Sequence, residues 1–461
     1  MLSRRAKRII IAIGLVQVLL ILALMALPDV VLAIPGRFRV ALAERSPVLS
    51  DLAENLIEQV APVDEFLPAP DTMVDIPRIT IPSIYHSEEP VSTQTPLPTA
   101  AAIVSSEGDG LVDSESTPQP TITSTPIPTP TPIPTPLPSQ VQLEDFNRIQ
   151  QSFNNCGPAN LTQVLNWYGD ETTQAQAAAY LKPNAEDRNV SPWQLSDYVN
   201  EFTDLRSTVH SGGTLEMLKQ FLAAGFPVVV EKGYEPNTSS SQGWFGHYLT
   251  VFGYDEEKQE FYGLDSYVQP DPGGRVESFD SMEKFWAHFN YTFYVVYEPE
   301  REAEVFQILG SELLEPLKMW ENAAMRAQAD IDDDPDNAFA WFNLGTSLTR
   351  IGEIIGDASY YNNGSLAFDQ ARSIGLPPRK LWYEHRPYLA YMKTGRYEDM
   401  IDLAEAVLST QGGRNVEETY LYMGHALLFQ GDVRGAREAY QRAIELNENF
   451  YPAEIALQSI G

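Results

Sequence analysis

One cysteine, Cys156, stands in a chain of 461 residues, so no disulfide can form within the chain and its stability must come from packed cores. Basic residues are also scarce: 31 lysines and arginines face 63 aspartates and glutamates, a formal charge of -32. That balance lacks the basic footprint nucleic acids require, so no nucleic-acid partner is expected. It says nothing about fold. A hydrophobic content of 43% over this length is enough to fill two or three domains.

The first residues suggest export. Arg4, Arg5, Lys7 and Arg8 precede "IIIAIGLVQVLLILALMAL", Ile9 to Leu27, a charge-free apolar run of 19 that is long enough to span a bilayer. A cleaved secretory signal is the alternative, but its apolar region is shorter and a small-residue cleavage site follows closely. Here Pro28 and Asp29 follow, and "ALA" at Ala41 to Ala43 lies too far downstream. The reading is a cytoplasmic basic flank over 1–8 and a single transmembrane anchor over 9–27, through which the chain meets the membrane. By the positive-inside rule, everything beyond then lies outside the cytoplasm. Residues 28–140 show little order: one short amphipathic helix is expected over Ser46 to Val60, and no function attaches to it. The tract "TPQPTITSTPIPTPTPIPTPLP", Thr117 to Pro138, has proline at nearly every second position. Proline donates to neither helix nor sheet, so the tract reads as an extended spacer of roughly 3.1 Å per residue, a stalk standing off the membrane. A ligand for a proline-binding domain is the other reading.

From 141 to 300 helix signals come first and strand signals follow, which predicts an α+β domain. Behind Cys156, Pro158 suits a first helical turn, and Leu161, Val164, Leu165 and Tyr168 recur at helical spacing until Gly169. "TTQAQAAAYL", "SPWQLSDYVNEF" and "TLEMLKQFLAAG" predict three more helices. "FPVVVEKGY", "HYLTVFGYDEE", "EFYGLDSY" and "YTFYVVYEP" predict strands. A thiol at a helix N-terminus meets the positive end of the dipole, which favours the thiolate and makes Cys156 a candidate nucleophile. A small buried hydrophobe is the alternative.

A thiolate nucleophile needs an imidazole to share its proton and a third group to orient that imidazole. The domain holds three histidines. His210 is expected in a loop, and His288, among aromatic residues, in a core helix. His247 opens a strand. If that strand and "EFYGLDSY" form a hairpin turning at Asp255 to Gln259, facing residues have numbers that sum to about 512, and Asp265 stands directly across from His247.

These residues resemble the papain-like cysteine peptidases of the bacteriocin-processing type, peptidase family C-39 and its relatives. The resemblance covers roughly 141–300 and rests on Gln150, six residues before "CGPAN", on "GHYLTVFGYD" and on "YGLDSY". It implies a papain-like catalytic domain. Cys156 would be the nucleophile, His247 the general base and acid, and Asp265 the orienting residue. Gln150 would supply a side-chain N–H to the oxyanion hole beside the backbone N–H of Cys156, with Gln151 as its rival. No cofactor and no metal are expected. Asn155 stands where an acid often precedes the cysteine, and Ser266 where proline is common.

Beyond 300 the pattern turns helical and repeats. "DPDNAFAWFNLG", Asp334 to Gly345, and Glu418 to Asn447 look like tetratricopeptide repeats, the second with Tyr420, Met423, Gly424, Leu427, Gly431, Ala436, Tyr440 and Ala443 in the expected positions. The first is interrupted near "GDASYYNN", and a looser unit lies around Tyr388 to Leu408. Residues 301–461 are therefore expected to form an all-α repeat solenoid that buries its core between neighbouring repeats, separate from the catalytic domain. The expected function is a membrane-anchored cysteine peptidase acting on a peptide or protein substrate, with repeats that bind a protein partner. An inactive binding scaffold and an amidase or acyl transferase on the same machinery are the alternatives.

Overall fold

The computed structural model describes residues 66–70, 73, 136–235, 243–267 and 274–461. The apolar run 9–27, the helix expected over 46–60 and the Thr/Pro tract up to residue 135 lie outside them. Among the described residues no helix is long and apolar enough to cross a membrane. Residues 66–70, 73 and 137–461 all belong to one compact unit.

The first half is α/β. Strand β1 (Gln140–Gln142) precedes helices α1 (Cys156–Trp167), α2 (Gln174–Leu181) and α3 (Pro192–Phe202). Then come β2 (Arg206–His210), α4 (Leu215–Ala223), β3 (Val228–Tyr234), β4 (Phe245–Asp255), β5 (Glu260–Leu264), β6 (Arg275–Ser278), α5 (Phe279–Ala287) and β7 (Phe293–Tyr297). All strand pairs are antiparallel, in the order β2-β7-β3-β4-β5-β6, and β1 joins β4 beyond the end of β3. The close approach of β1 requires a glycine: a β-carbon on Gly253 would lie 2.6 Å from the Val141 carbonyl oxygen. The predicted helices and strands form where the patterns put them. Strands β1, β2 and β6 were not predicted. His210, expected in a loop, ends β2.

Helices cover both faces of the sheet. Leu161, Val164 and Leu165 of α1 share a core with Leu195 and Val199 of α3 and with Val229, Tyr248 and Tyr294 of the sheet. On the other face Leu218 and Phe221 of α4 and Trp286 of α5 join Val228, Val230, Leu249 and Val251. The caps were legible: the Gln194 side chain accepts the Ser191 N–H at 2.8 Å, and Pro192 begins α3.

The second half is helical throughout: α6 (Glu302–Leu314), α7 (Pro316–Asp333), α8 (Ala338–Ile355), α9 (Ala358–Ile374), a 3₁₀ turn over Pro378–Trp382, α10 (Arg386–Lys393), α11 (Tyr397–Ser409), α12 (Glu417–Phe429), α13 (Val433–Leu446) and α14 (Tyr451–Ser459). The small residues read as repeat positions sit under aromatic rings. A β-carbon on Gly345 would meet Phe368 at 2.7 Å, and one on Gly424 would meet Tyr440 at 2.4 Å. One expectation fails. The helices do not bury their core only against each other, because Trp244 and Phe289 of the first half lie in the same apolar cluster as Phe342, Tyr383 and Tyr388. Polar contacts reinforce that seam: Asn343 Nδ2 donates to the Ala287 carbonyl at 2.7 Å, and Lys380 Nζ to the His288 carbonyl at 2.7 Å.

Candidate active site

The site is built around a buried helix start. Cys156 opens α1, and every residue from there to Leu165 is buried. Its thiol therefore sits in the first turn, where backbone N–H groups have no partner within the helix. Four residues on, Asn160 shares that face of the helix and ties three parts of the site together. Its Nδ2 lies 2.9 Å from the Cys156 carbonyl, 3.1 Å from the Tyr248 carbonyl and 3.1 Å from Ser266 Oγ, while its Oδ1 accepts from Thr250 Oγ1 at 2.8 Å. The nucleophile's helix is thereby fixed to the strand carrying His247 and to the residue after Asp265.

The β4–β5 hairpin supplies the other two groups, though not in the predicted register. Near the turn Asp255 pairs with Glu260 and Tyr254 with Phe261, so paired numbers sum to 515; past a bulge between Val251 and Gly253, Thr250 pairs with Leu264 and the sum is 514. Asp265 lies one residue past β5 and is not the direct partner of His247. The bulge matters because side chains alternate faces along a strand. An odd sum would put residues 247 and 265 on opposite faces; the even sum restores them to one face as diagonal neighbours, still within reach. His247 Nε2 and Asp265 Oδ1 lie 2.9 Å apart, both residues buried. Nδ1 of the ring has no hydrogen-bond partner among the described residues, and the imidazole is near enough to Cys156 to lower the pKa of its thiol.

Behind Asp265 runs a chain of alternating charge. Arg275 Nη1 donates to Asp265 Oδ2 at 2.7 Å, Arg275 Nη2 lies 3.1 Å from Glu277 Oε2 as an ion pair without hydrogen-bond alignment, and Lys232 Nζ donates to Glu277 Oε1 at 2.7 Å. Asp265 Oδ1 also accepts the Tyr267 N–H at 2.8 Å. Burial alone would raise the Asp265 pKa, but the imidazole, the guanidinium and this N–H outweigh it and hold the carboxyl well below the usual range. Burial alone would lower His247; the Asp265 charge and the thiol outweigh it and push the imidazole up to about 9. For Cys156 burial raises the pKa, but the His247 imidazole, the Lys182 ammonium and the Tyr248 backbone bring it below its ordinary value. Lys182 is itself buried, which lowers it to about 8, and its Nζ donates to the Asn154 and Asp187 carbonyls at 2.8 and 2.7 Å.

The remaining predicted residues are placed as follows. Gln150 Nε2 donates to the Tyr267 carbonyl at 3.2 Å, and its backbone carbonyl accepts from Gln174, whose Oε1 accepts from Asn155. Gln150 is therefore beside the site, with its amide turned to the Asp265 side. Gln151 Oε1 accepts from Ser266 Oγ at 2.9 Å, which leaves its Nε2 uncommitted among the described residues. His288 caps α5, accepts the Trp244 indole N–H at 2.9 Å and stacks on Phe339 with ring centroids 3.9 Å apart, as a core histidine should. His210 is buried between Thr208 and the Leu313 carbonyl. Sequence reasoning missed Asn160, Lys182 and Arg275. Only Asn160 had a signal, its four-residue spacing from Cys156. It also missed Tyr383 of the helical half, whose ring would meet a β-carbon on Gly246, the neighbour of His247, at 3.0 Å.

The geometry groups a thiol, an imidazole and a carboxylate, all three buried, at a helix N-terminus. Residues 137–294 match the Peptidase_C39 like family. Residues 417–450 match the tetratricopeptide repeat, within α12 and α13 and the turn that follows. Among solved structures, a C39-like peptidase from Bacillus anthracis is similar at 16% identity with a TM-score of 0.29, over 34% of this chain and 96% of that one. No curated protein matches the chain.

Proposed function

We propose that the chain is a membrane-anchored, extracytoplasmic cysteine peptidase that hydrolyses peptide bonds through Cys156, His247 and Asp265. The observation that carries this reading is the buried His247, paired at Nε2 with Asp265 and set near a thiol that heads a helix and whose pKa it lowers. With His247 protonated and Cys156 ionised, the pair is ready for attack without a prior proton transfer. Sulfur adds to the substrate carbonyl carbon, and the oxyanion is held by the Cys156 N–H and by the Gln150 side chain once it leaves the Tyr267 carbonyl. His247 passes its proton to the departing amine. Water, deprotonated by His247, then adds to the acyl carbon and expels the sulfur, releasing the acid and restoring the Cys156 thiolate and protonated His247. Asp265 keeps the ring oriented and stays ionised throughout, which Arg275 assists.

The helical half would bring the protein substrate or partner. Tyr383 packs against Gly246 beside His247, so the helices border the site as well as extending from it. The anchor over 9–27 would hold both halves outside the cytoplasm.

Replacing Cys156 with Ala tests the assignment. Turnover should fall by on the order of a million-fold, as when other covalent nucleophiles are removed, with circular dichroism unchanged. Undiminished turnover would exclude the thiol mechanism. Gln150→Ala should cost about 10²–10³ in kcat, the usual effect of losing one oxyanion donor, and Gln151→Ala much less; the reverse ranking would transfer the role to Gln151.

A further inference from the structure

A short stretch far upstream of the catalytic half lies on the helical half. The Leu67 N–H donates to the Leu376 carbonyl at 2.8 Å, and Arg372 Nε donates to the Pro68 carbonyl at 2.8 Å. Arg372 is only 4% exposed, and its Nη1 is held by Tyr391 Oη at 3.1 Å and Asp399 Oδ1 at 2.8 Å, so the guanidinium is fixed in place for the Pro68 carbonyl. Leu67 is itself 4% exposed and belongs to the apolar core containing Ala371, Leu376 and Met400. The Phe66 ring lies over Gly375, where a β-carbon would approach it to 3.1 Å and where the backbone φ of 121° favours glycine.

These are the parts of a peptide site: a backbone acceptor, a charged donor held from behind, an apolar pocket and a flat glycine face. Leucine before proline suits it. The residue preceding proline is biased to extended backbone, which presents its N–H and side chain while proline offers only its carbonyl. We propose that the helical half carries a binding site for an extended aromatic-Leu-Pro peptide, and that this chain fills it with its own residues 66–68.

The docked residues 66–70 and residues 137–461 belong to the same compact unit. A covalently attached peptide also acts at an effective concentration in the millimolar range, so a modest intrinsic affinity keeps residues 66–68 docked, and a peptide of the same class in trans can compete only when abundant.

Two measurements on the full-length chain test this. Hydrogen exchange should show the Leu67 amide protected at least tenfold relative to the same amide in Arg372→Ala; equal, fast exchange in both would overturn the docking. A labelled peptide spanning residues 62–73 should bind the Leu67→Asp chain, whose own segment is released, at least tenfold more tightly than the wild type. A peptide carrying the same Leu→Asp change should bind neither. No binding to Leu67→Asp up to millimolar peptide, or equal binding to both chains, would overturn the site. Neither result depends on Cys156.

Discussion

Two histidines of one domain, one buried and one partly so, behave in opposite ways. His247, in the polar row with Asp265, Arg275, Glu277 and Lys232, is pushed up to about 9. His288, in the aromatic nest of Trp244, Phe285 and Phe339, is driven down to about 3, first by burial and then by Lys380, Lys284 and Lys232. Burial acts on both in the same direction. What separates them is one carboxylate at 2.9 Å against one indole N–H donor at 2.9 Å. A carboxylate rewards the charged ring; an N–H donor and nearby ammonium groups reward the neutral one. A buried histidine is therefore read from its partners.

The comparison can be broken first at His247. His247→Ala should remove nearly all turnover, while Asp265→Ala should cost less and Asp265→Asn least. The Asn variant should lose less than the roughly 10⁴-fold seen in serine triads, because a thiol and imidazole that share charge depend less on the orienting acid. Steady-state kinetics on the three variants give the ranking, and an Asp265→Asn loss as large as that of His247→Ala would mean the carboxylate does more than orient.

The smaller effect lies at His288. His288→Ala should remove about 2–4 kcal/mol of stability, as a large-to-small change in a packed core does, with turnover per folded molecule unchanged. Its pH signature is opposite to that of His247. The lowered His288 pKa means that its contribution is present above about pH 6.5 and is lost as pH falls towards 3. The raised His247 pKa means that its pairing is complete below about 6.5 and is lost as pH rises through about 9. Denaturation against pH should show acid lability weakened in His288→Ala and alkaline lability weakened in His247→Ala. Identical profiles for the two variants would erase the distinction.

How much of this was legible varies with the kind of signal. Helix periodicity and Pro158 placed Cys156 at the start of α1, and strand composition placed His247 at the head of β4. The carboxylate partner was identified from a register that proved two to three residues off. The contact survived because the β-bulge between Val251 and Gly253 restores the parity that a regular hairpin with this turn would have lost. Nothing local announces a bulge of that kind. Arg275 was invisible for a similar reason: β6 is a four-residue strand whose partner is chosen by the sheet and not by its own pattern. The seam between the halves was hidden because Trp244, Phe289 and Tyr383 look like core residues of their own halves. Only the fold shows that they share one core.

The central claim is that Cys156 is held as a thiolate by a charged His247, and the lone cysteine makes that directly measurable. The ultraviolet thiolate absorbance of the native protein, followed against pH, reports this one group without background from other thiols. The thiolate should already be present below pH 9, the ordinary value for a cysteine, and in His247→Ala the titration should move above 9, because burial is then opposed only by Lys182 and the Tyr248 backbone. A wild-type thiol that ionises at or above 9, unchanged by His247→Ala, would contradict the account.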